Sequence, residues 1–180
     1  MTQEQLLEVI EGTIDYAKIE VKENPIADDN SASVSEVILE NLRGKSKEIE
    51  LANLQIYLDR LYRNDLKRIK KDGDSRPVRF DHTLVHKTQG IEDVLSDFLE
   101  EQVAIMELEL KKKNLVTQKG VPMNILYGLV TDDGTKRSLS VDKLKEDLLG
   151  DKGQTLSAEV IDYCIDRFHE MRIIRILSKD

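Results

Sequence analysis

IELANLQIYLDRLY, residues 49 to 62, decides how this chain is read. Leu51, Leu54, Leu58 and Leu61 recur every three or four positions, which at 3.6 residues per turn sets them on one face of a helix. Leu66 and Ile69 prolong the stripe, so the sequence predicts one long amphipathic helix with a core built around it. Beyond it lies the polar, turn-forming segment Lys70-Lys71-Asp72-Gly73-Asp74-Ser75-Arg76-Pro77, which reads as a loop.

Toward the N-terminus the same periodicity appears twice more. Thr2 and Gln5 stand at capping-box spacing, and Leu6, Ile10, Ile14, Ala17 and Val21 follow as the apolar face of a first helix. Asn24-Pro25 and the polar run Asp28 to Ser31 break that pattern. Ser33 and Glu36 then repeat the capping box before Val34, Val37, Ile38 and Leu42, and Gly44 supplies a stop.

Toward the C-terminus a short helix is expected near Thr83 to Lys87, ending by Gly90. Ile91, Val94, Leu95, Phe98, Leu99, Val103, Met106 and Leu110 then mark a long amphipathic helix that joins the two halves. From Gly120 the elements shorten. Pro122 suits the first turn of a helix through Met123, Leu126 and Leu129, and Asp132-Asp133-Gly134 makes a turn. Arg137, Leu139 and Val141 alternate as in a brief strand. Val141, Leu144 and Leu148 predict a helix, and Ile161, Cys164, Phe168 and Met171 predict another. The β-branched run Ile173-Ile174-Arg175-Ile176-Leu177 reads as a closing strand. Helix, short strand, helix, helix, strand is the order of a winged helix. The expected fold is therefore mainly α: a helical bundle followed by a winged-helix domain with a small β-wing.

Composition narrows the function classes. With 39% apolar and 34% charged residues, 4% aromatics and no Trp, the 180-residue chain has an aliphatic, largely helical core. Net charge is −8, with 14 basic against 17 acidic residues through Gly90 and 13 against 18 after it, so neither half is a cationic nucleic-acid binder. One cysteine, Cys164, allows no internal disulfide, and the charged opening TQEQLLEVIEG is unlike a signal peptide, which sets the expectation of a cytoplasmic protein. No apolar stretch approaches the roughly 20 residues of a membrane span.

Motif by motif, chemistry is sparse. Gly44-Lys45-Ser46 resembles the end of a P-loop, but Leu39 occupies the position of its first glycine and the tripeptide ends a helix, so it reads as a helix stop. His82 and His86 are four apart beside Asp81, yet two imidazoles make no metal site, and His169 stands alone. No Ser or Cys has an evident base, and Cys164 falls on an apolar helix face with Phe168, so the chain is expected not to be an enzyme. Arg60, Arg63, Lys67, Arg68, Lys70 and Lys71 form the one strongly basic stretch, with Asp65 its single acid. It reads first as a solvated helix face favourable to the helix dipole, with Arg60, Arg63, Lys67 and Arg68 as the candidate surface for an acidic partner. Between Ser157 and Arg172, four acids oppose Arg167 and Arg172, which disfavours DNA as the partner of the last helix.

Taken in order, MTQEQLLEVIEGTIDYAKIEV, ELANLQIYLDRLYR, GIEDVLSDFLEEQ and the terminal winged-helix pattern resemble, over most of the chain, the region that follows the nucleotide-binding core of STAND-type signal-transduction ATPases. The resemblance implies a helical lid over residues 1 to 88, closing over nucleotide, and a connecting helix with a winged helix over residues 89 to 180, holding a closed, inactive state. It implies ATP or ADP in a P-loop ATPase core of the parent chain, which is the expected partner, and no cofactor in this segment. Gly12-Thr13 and Leu51-Ala52 stand where many relatives carry Gly-Pro and Leu-Pro. The second proline commonly sits against the adenine, so no nucleotide-binding residue transfers to this chain.

The expected function is thus a non-catalytic regulatory segment that relays nucleotide state by intramolecular docking, through the surface near Ala52 to Tyr57 and the winged-helix faces. The alternatives are a free-standing winged-helix DNA-binding regulator, with Arg60 to Lys71 meeting phosphate, and a helical adaptor for another protein.

Overall fold

In a computed structural model, residues 2–23, 32–43, 49–115, 119–133, 135–150 and 156–176 are described, 149 and 150 by backbone alone. Asn24-Pro25, the Asp28 to Ser31 run, Gly44-Lys45-Ser46, Gly134 and Leu177 lie outside those residues. The fold is mainly helical with one small two-stranded sheet. It divides into two compact units, Met1–Phe98 and Leu99–Asp180, so the change of unit falls inside a helix.

The first unit holds α1 (Gln3–Tyr16), β1 (Glu20–Lys22), α2 (Val34–Arg43), α3 (Leu51–Asp72), β2 (Arg79–Asp81), α4 (His82–Lys87) and the start of α5 (Ile91–Lys112). Both capping boxes form. Thr2 Oγ1 accepts from the Gln5 amide at 3.3 Å while Gln5 Oε1 accepts from the Thr2 amide at 2.9 Å. Ser33 and Glu36 exchange the same pair at 3.2 and 2.7 Å. Each box satisfies two amides that a helix start otherwise leaves open. The core holds the expected Leu6, Ile10 and Ile14 of α1, Val34, Ile38 and Leu42 of α2, and Leu54, Leu58 and Leu61 of α3, joined by Tyr57, Phe80 and Val85. Leu51 and Leu66 of the expected α3 stripe are instead exposed, because that stripe is wider than the face the core covers. Tyr57 is buried, and its hydroxyl accepts from Asn41 Nδ2 at 2.8 Å.

Two further expectations give way in this unit. Val21 does not continue the first helix, because Lys18 takes the left-handed conformation (φ 53°) and the Ile19 amide bonds back to Ile14 O, closing α1. Val21 instead pairs with Phe80 in a parallel register that runs Glu20 to Arg79 and Lys22 to Asp81. The expected loop also begins later. Lys70, Lys71 and Asp72 are helical, and Gly73 (φ 66°) ends α3 in the conformation that glycine adopts without strain.

The second unit packs Met106 and Leu110 of α5 with α6 (Val121–Tyr127), α7 (Val141–Gly150) and α8 (Ala158–Glu170). Pro122 stands in the first turn of α6, and Ser157 caps α8 by accepting from the Val160 amide at 3.3 Å. Val121, Ile125, Leu144, Ile161, Cys164 and Phe168 are buried together.

Neither expected strand of this unit forms among the described residues. Between α6 and α7 there is one antiparallel bridge, Val130 to Lys136, rather than a strand over Arg137 to Val141. After α8, Arg172 turns left-handed (φ 58°) and the amides of Ile173 and Ile174 return to Phe168 O. Their side chains pack against the core, so this β-branched run closes a helix. The small sheet lies in the first unit. No described helix is long and apolar enough to cross a membrane.

Candidate interaction surface on the long third helix

The four basic side chains singled out on α3 have different fates. Arg60 reaches Asp97 at 3.2 Å, and Arg63 pairs with Asp59 one turn back at 2.7 Å. Lys67 stands exposed on the outer side of the helix. Arg68 is drawn into the fold: its guanidinium donates to both oxygens of Asp81, at 3.3 and 2.8 Å, and its Nε lies 3.4 Å from Asp65.

Asp65, the lone acid of the basic stretch, is the centre of that network. Its side chain has 0% exposure. Arg76 grips it with both terminal nitrogens, at 2.6 and 2.8 Å, and the Arg79 amide donates to it at 2.7 Å. Burial pushes the Asp65 carboxyl up, but hydrogen bonds from Arg76 and the Arg79 amide, with the charges of Arg76 and Arg68, hold it below the ordinary carboxylate value. At Asp81 burial is likewise outweighed, by Arg68 and by the Leu84 amide that its Oδ1 caps at 2.7 Å. Thus α3, the segment after it, β2 and the start of α4 are pinned by one set of paired charges.

What α3 leaves uncovered is an apolar line. Leu51, Tyr62 and Leu66 are 49%, 38% and 43% exposed, and at about 100° per residue they fall within about 60° of one another around the helix. Lys70 and Lys67 follow on one side of that line. Leu54 and Tyr57 are buried, so the surface expected near Ala52 to Tyr57 consists of Ala52, Asn53, Gln55 and Ile56, beside the exposed Leu51.

The other charged and nucleophilic candidates are engaged within their own units. His82 and His86 stack with ring centroids 6.2 Å apart, and His82 Nε2 lies 3.1 Å from Glu23 Oε2. No group of three metal-ligating side chains gathers among the described residues. In the second unit Glu109, Lys112, Lys113, Tyr163 and Arg167 line an open cleft. Tyr163 donates to Glu109, and Lys113 Nζ sits 4.4 Å from the centre of the Tyr163 ring. Burial and the Glu109 contact push Tyr163 up to about 12, while the same contact lowers Glu109. Arg167 Nε is closed off from solvent without a hydrogen-bond partner, 3.8 Å from Glu109, so a molecule in the cleft could not reach it. Burial alone raises the Cys164 thiol to about 12, leaving it inert at neutral pH.

Comparison of the chain with protein-family models, with curated proteins and with solved structures returns no match. Sequence periodicity located α3 and its buried face. It missed the Asp65 network, for which the signal was a lone acid inside a basic helix followed by Arg76 and Arg79.

Proposed function

We propose that this chain is a non-catalytic regulatory segment of a STAND-like signalling ATPase, a lid-like helical unit and a winged-helix-like unit that relay nucleotide state by docking on a P-loop core. The observation that carries the reading is the N-terminal end of α3, where Leu51 is exposed in the first turn beside Ala52, Asn53, Gln55 and Ile56, while Leu54, Tyr57 and Leu58 just after it are buried. An apolar side chain left uncovered on a helix surface is stabilised when a partner excludes water from it. On this reading the ATPase core is the partner that covers that surface. The succession of helices in the second unit supports the winged-helix half of the reading, with a single antiparallel bridge between α6 and α7 in place of the expected wing strands.

Such a relay works through differential contact. Docking must be more favourable in one nucleotide state than in the other, since a contact equally good in both shifts nothing. ATP and ADP belong to the core, and the cytoplasm is the compartment where such a core works. The test is to read the coding sequence upstream of the Met1 codon: an in-frame GxxxxGK[ST] on a strand-to-helix turn is expected, and a reading frame without an ATPase domain would defeat the proposal.

A further inference from the structure

The outward face of α1 complements the C-terminal half of α3 on another copy of the same chain. Glu4, Glu8, Glu11 and Asp15 are all exposed and, at about 100° per residue, fall within about 60° of one another, and Gln3–Tyr16 contains no Lys or Arg. About 120° further round from the middle of that acidic row lie Val9 and Tyr16, exposed by 36% and 91%. Gly12 falls between the acidic row and this apolar pair. It is mid-helix, where glycine is unfavourable by about 1 kcal/mol relative to alanine. Nothing within the fold requires it, since a Cβ there would meet no atom within 4 Å.

On α3 the arrangement is the reverse. Tyr62 and Leu66 form the apolar edge, and Lys70 and Lys67 follow on the side of increasing helical angle. On a right-handed helix viewed from outside with the chain running upward, that side is the right. Thus α3 shows apolar left and basic right, and α1 shows acidic left and apolar right. Laid face to face with the chains running the same way, right meets left: Lys67 and Lys70 oppose the acidic row, and Tyr62 and Leu66 oppose Tyr16 and Val9. Gly12 then lies on the seam, where a missing side chain lets two helices approach closely. In the antiparallel arrangement both matches are lost.

We infer that copies of this chain associate head to tail, α1 of one against α3 of the next, with Gly12 as the point of closest approach. Each copy carries both faces, so the contact is heterologous and extends into a ring or filament unless two copies close on each other. It needs no nucleotide and is independent of docking on an ATPase core.

The test is sedimentation of the whole chain at rising concentration and low salt. Gly12→Leu removes the α1 seam, and Lys67→Glu with Lys70→Glu reverses the α3 row; circular dichroism confirms that each remains folded. The wild-type chain is expected to exceed its 20.6 kDa monomer mass, and each variant to sediment as a monomer. The two variants mixed should recover a 1:1 pair, because each retains the face that the other lacks. A wild-type chain that stays monomeric at millimolar concentration overturns the inference. So does self-association undiminished by Gly12→Leu, or a mixture of variants that fails to pair.

Discussion

At the scale of single residues, Asp65 separates a structural charge from a solvated one. Its carboxylate is wholly buried and gripped by Arg76, so Asp65→Ala removes the bidentate acceptor of Arg76, leaving it Pro77 O and Asp74, and takes the acceptor of the Arg79 amide. We expect a loss of about 3 to 5 kcal/mol in urea unfolding, the range for breaking a buried pair from one side. Arg63 and Asp59 are each half exposed, and Arg63→Ala should cost less than about 1 kcal/mol. Equal losses would show that the buried network has no special weight.

The pH dependence has a definite sign. Asp65 and Asp81 titrate lower folded than unfolded, where carboxyls sit near about 4. Their contribution is therefore complete above about pH 4 and disappears as pH falls through the folded values. Tm should hold from neutral pH to about 5 and drop below about 4, and the drop should be smaller in Asp65→Asn with Asp81→Asn. A parent and variant that lose the same stability over that acid range would contradict this. Cys164, raised to about 12 by burial, should react with a thiol reagent at pH 8 only after denaturant is added.

At the scale of elements, periodicity and caps carried the reading a long way. Both capping boxes, the buried faces of α1, α2 and α8, the buried Leu54, Leu58 and Leu61 of α3, and the Pro122 helix start follow from local spacing, whereas Leu51 and Leu66 share that spacing and stay exposed. What local spacing could not show were events decided by chain reversal or by distant partners. Val21 has helical spacing from Ala17, yet Lys18 turns left-handed and Phe80 supplies a strand partner from far along the chain. Ile173 and Ile174 have strand propensity, but the carbonyl of Phe168 and a core edge beside α8 take them first. The basic character of α3 was plain, whereas the inward pull on Arg68 depended on Asp81, which reaches it only through the fold. Lys18→Gly should remove left-handed strain and raise stability by about 1 kcal/mol. Unchanged or lowered stability in thermal unfolding would mean that the α1 turn is set otherwise.

At the scale of the whole molecule, the two units, Met1–Phe98 and Leu99–Asp180, each have a core of their own. The exposed positions with the strongest pattern, Leu51 at one end of α3 and the Tyr62, Leu66, Lys67 and Lys70 group at the other, suit contact with other protein surfaces. The proposed relay of nucleotide state and the inferred head-to-tail contact between copies draw on different ends of that helix, so each can be tested without the other. Leu51→Glu should weaken docking on the core and leave sedimentation of the isolated chain unchanged.

The proposed relay is tested most directly by calorimetric titration of this chain into the P-loop core proposed as its partner, once loaded with ADP and once with a non-hydrolysable ATP analogue. A relay requires affinities that differ by about tenfold or more between the two states, equivalent to about 1.4 kcal/mol of coupling. Equal affinity in both states, or no binding in either, would contradict it.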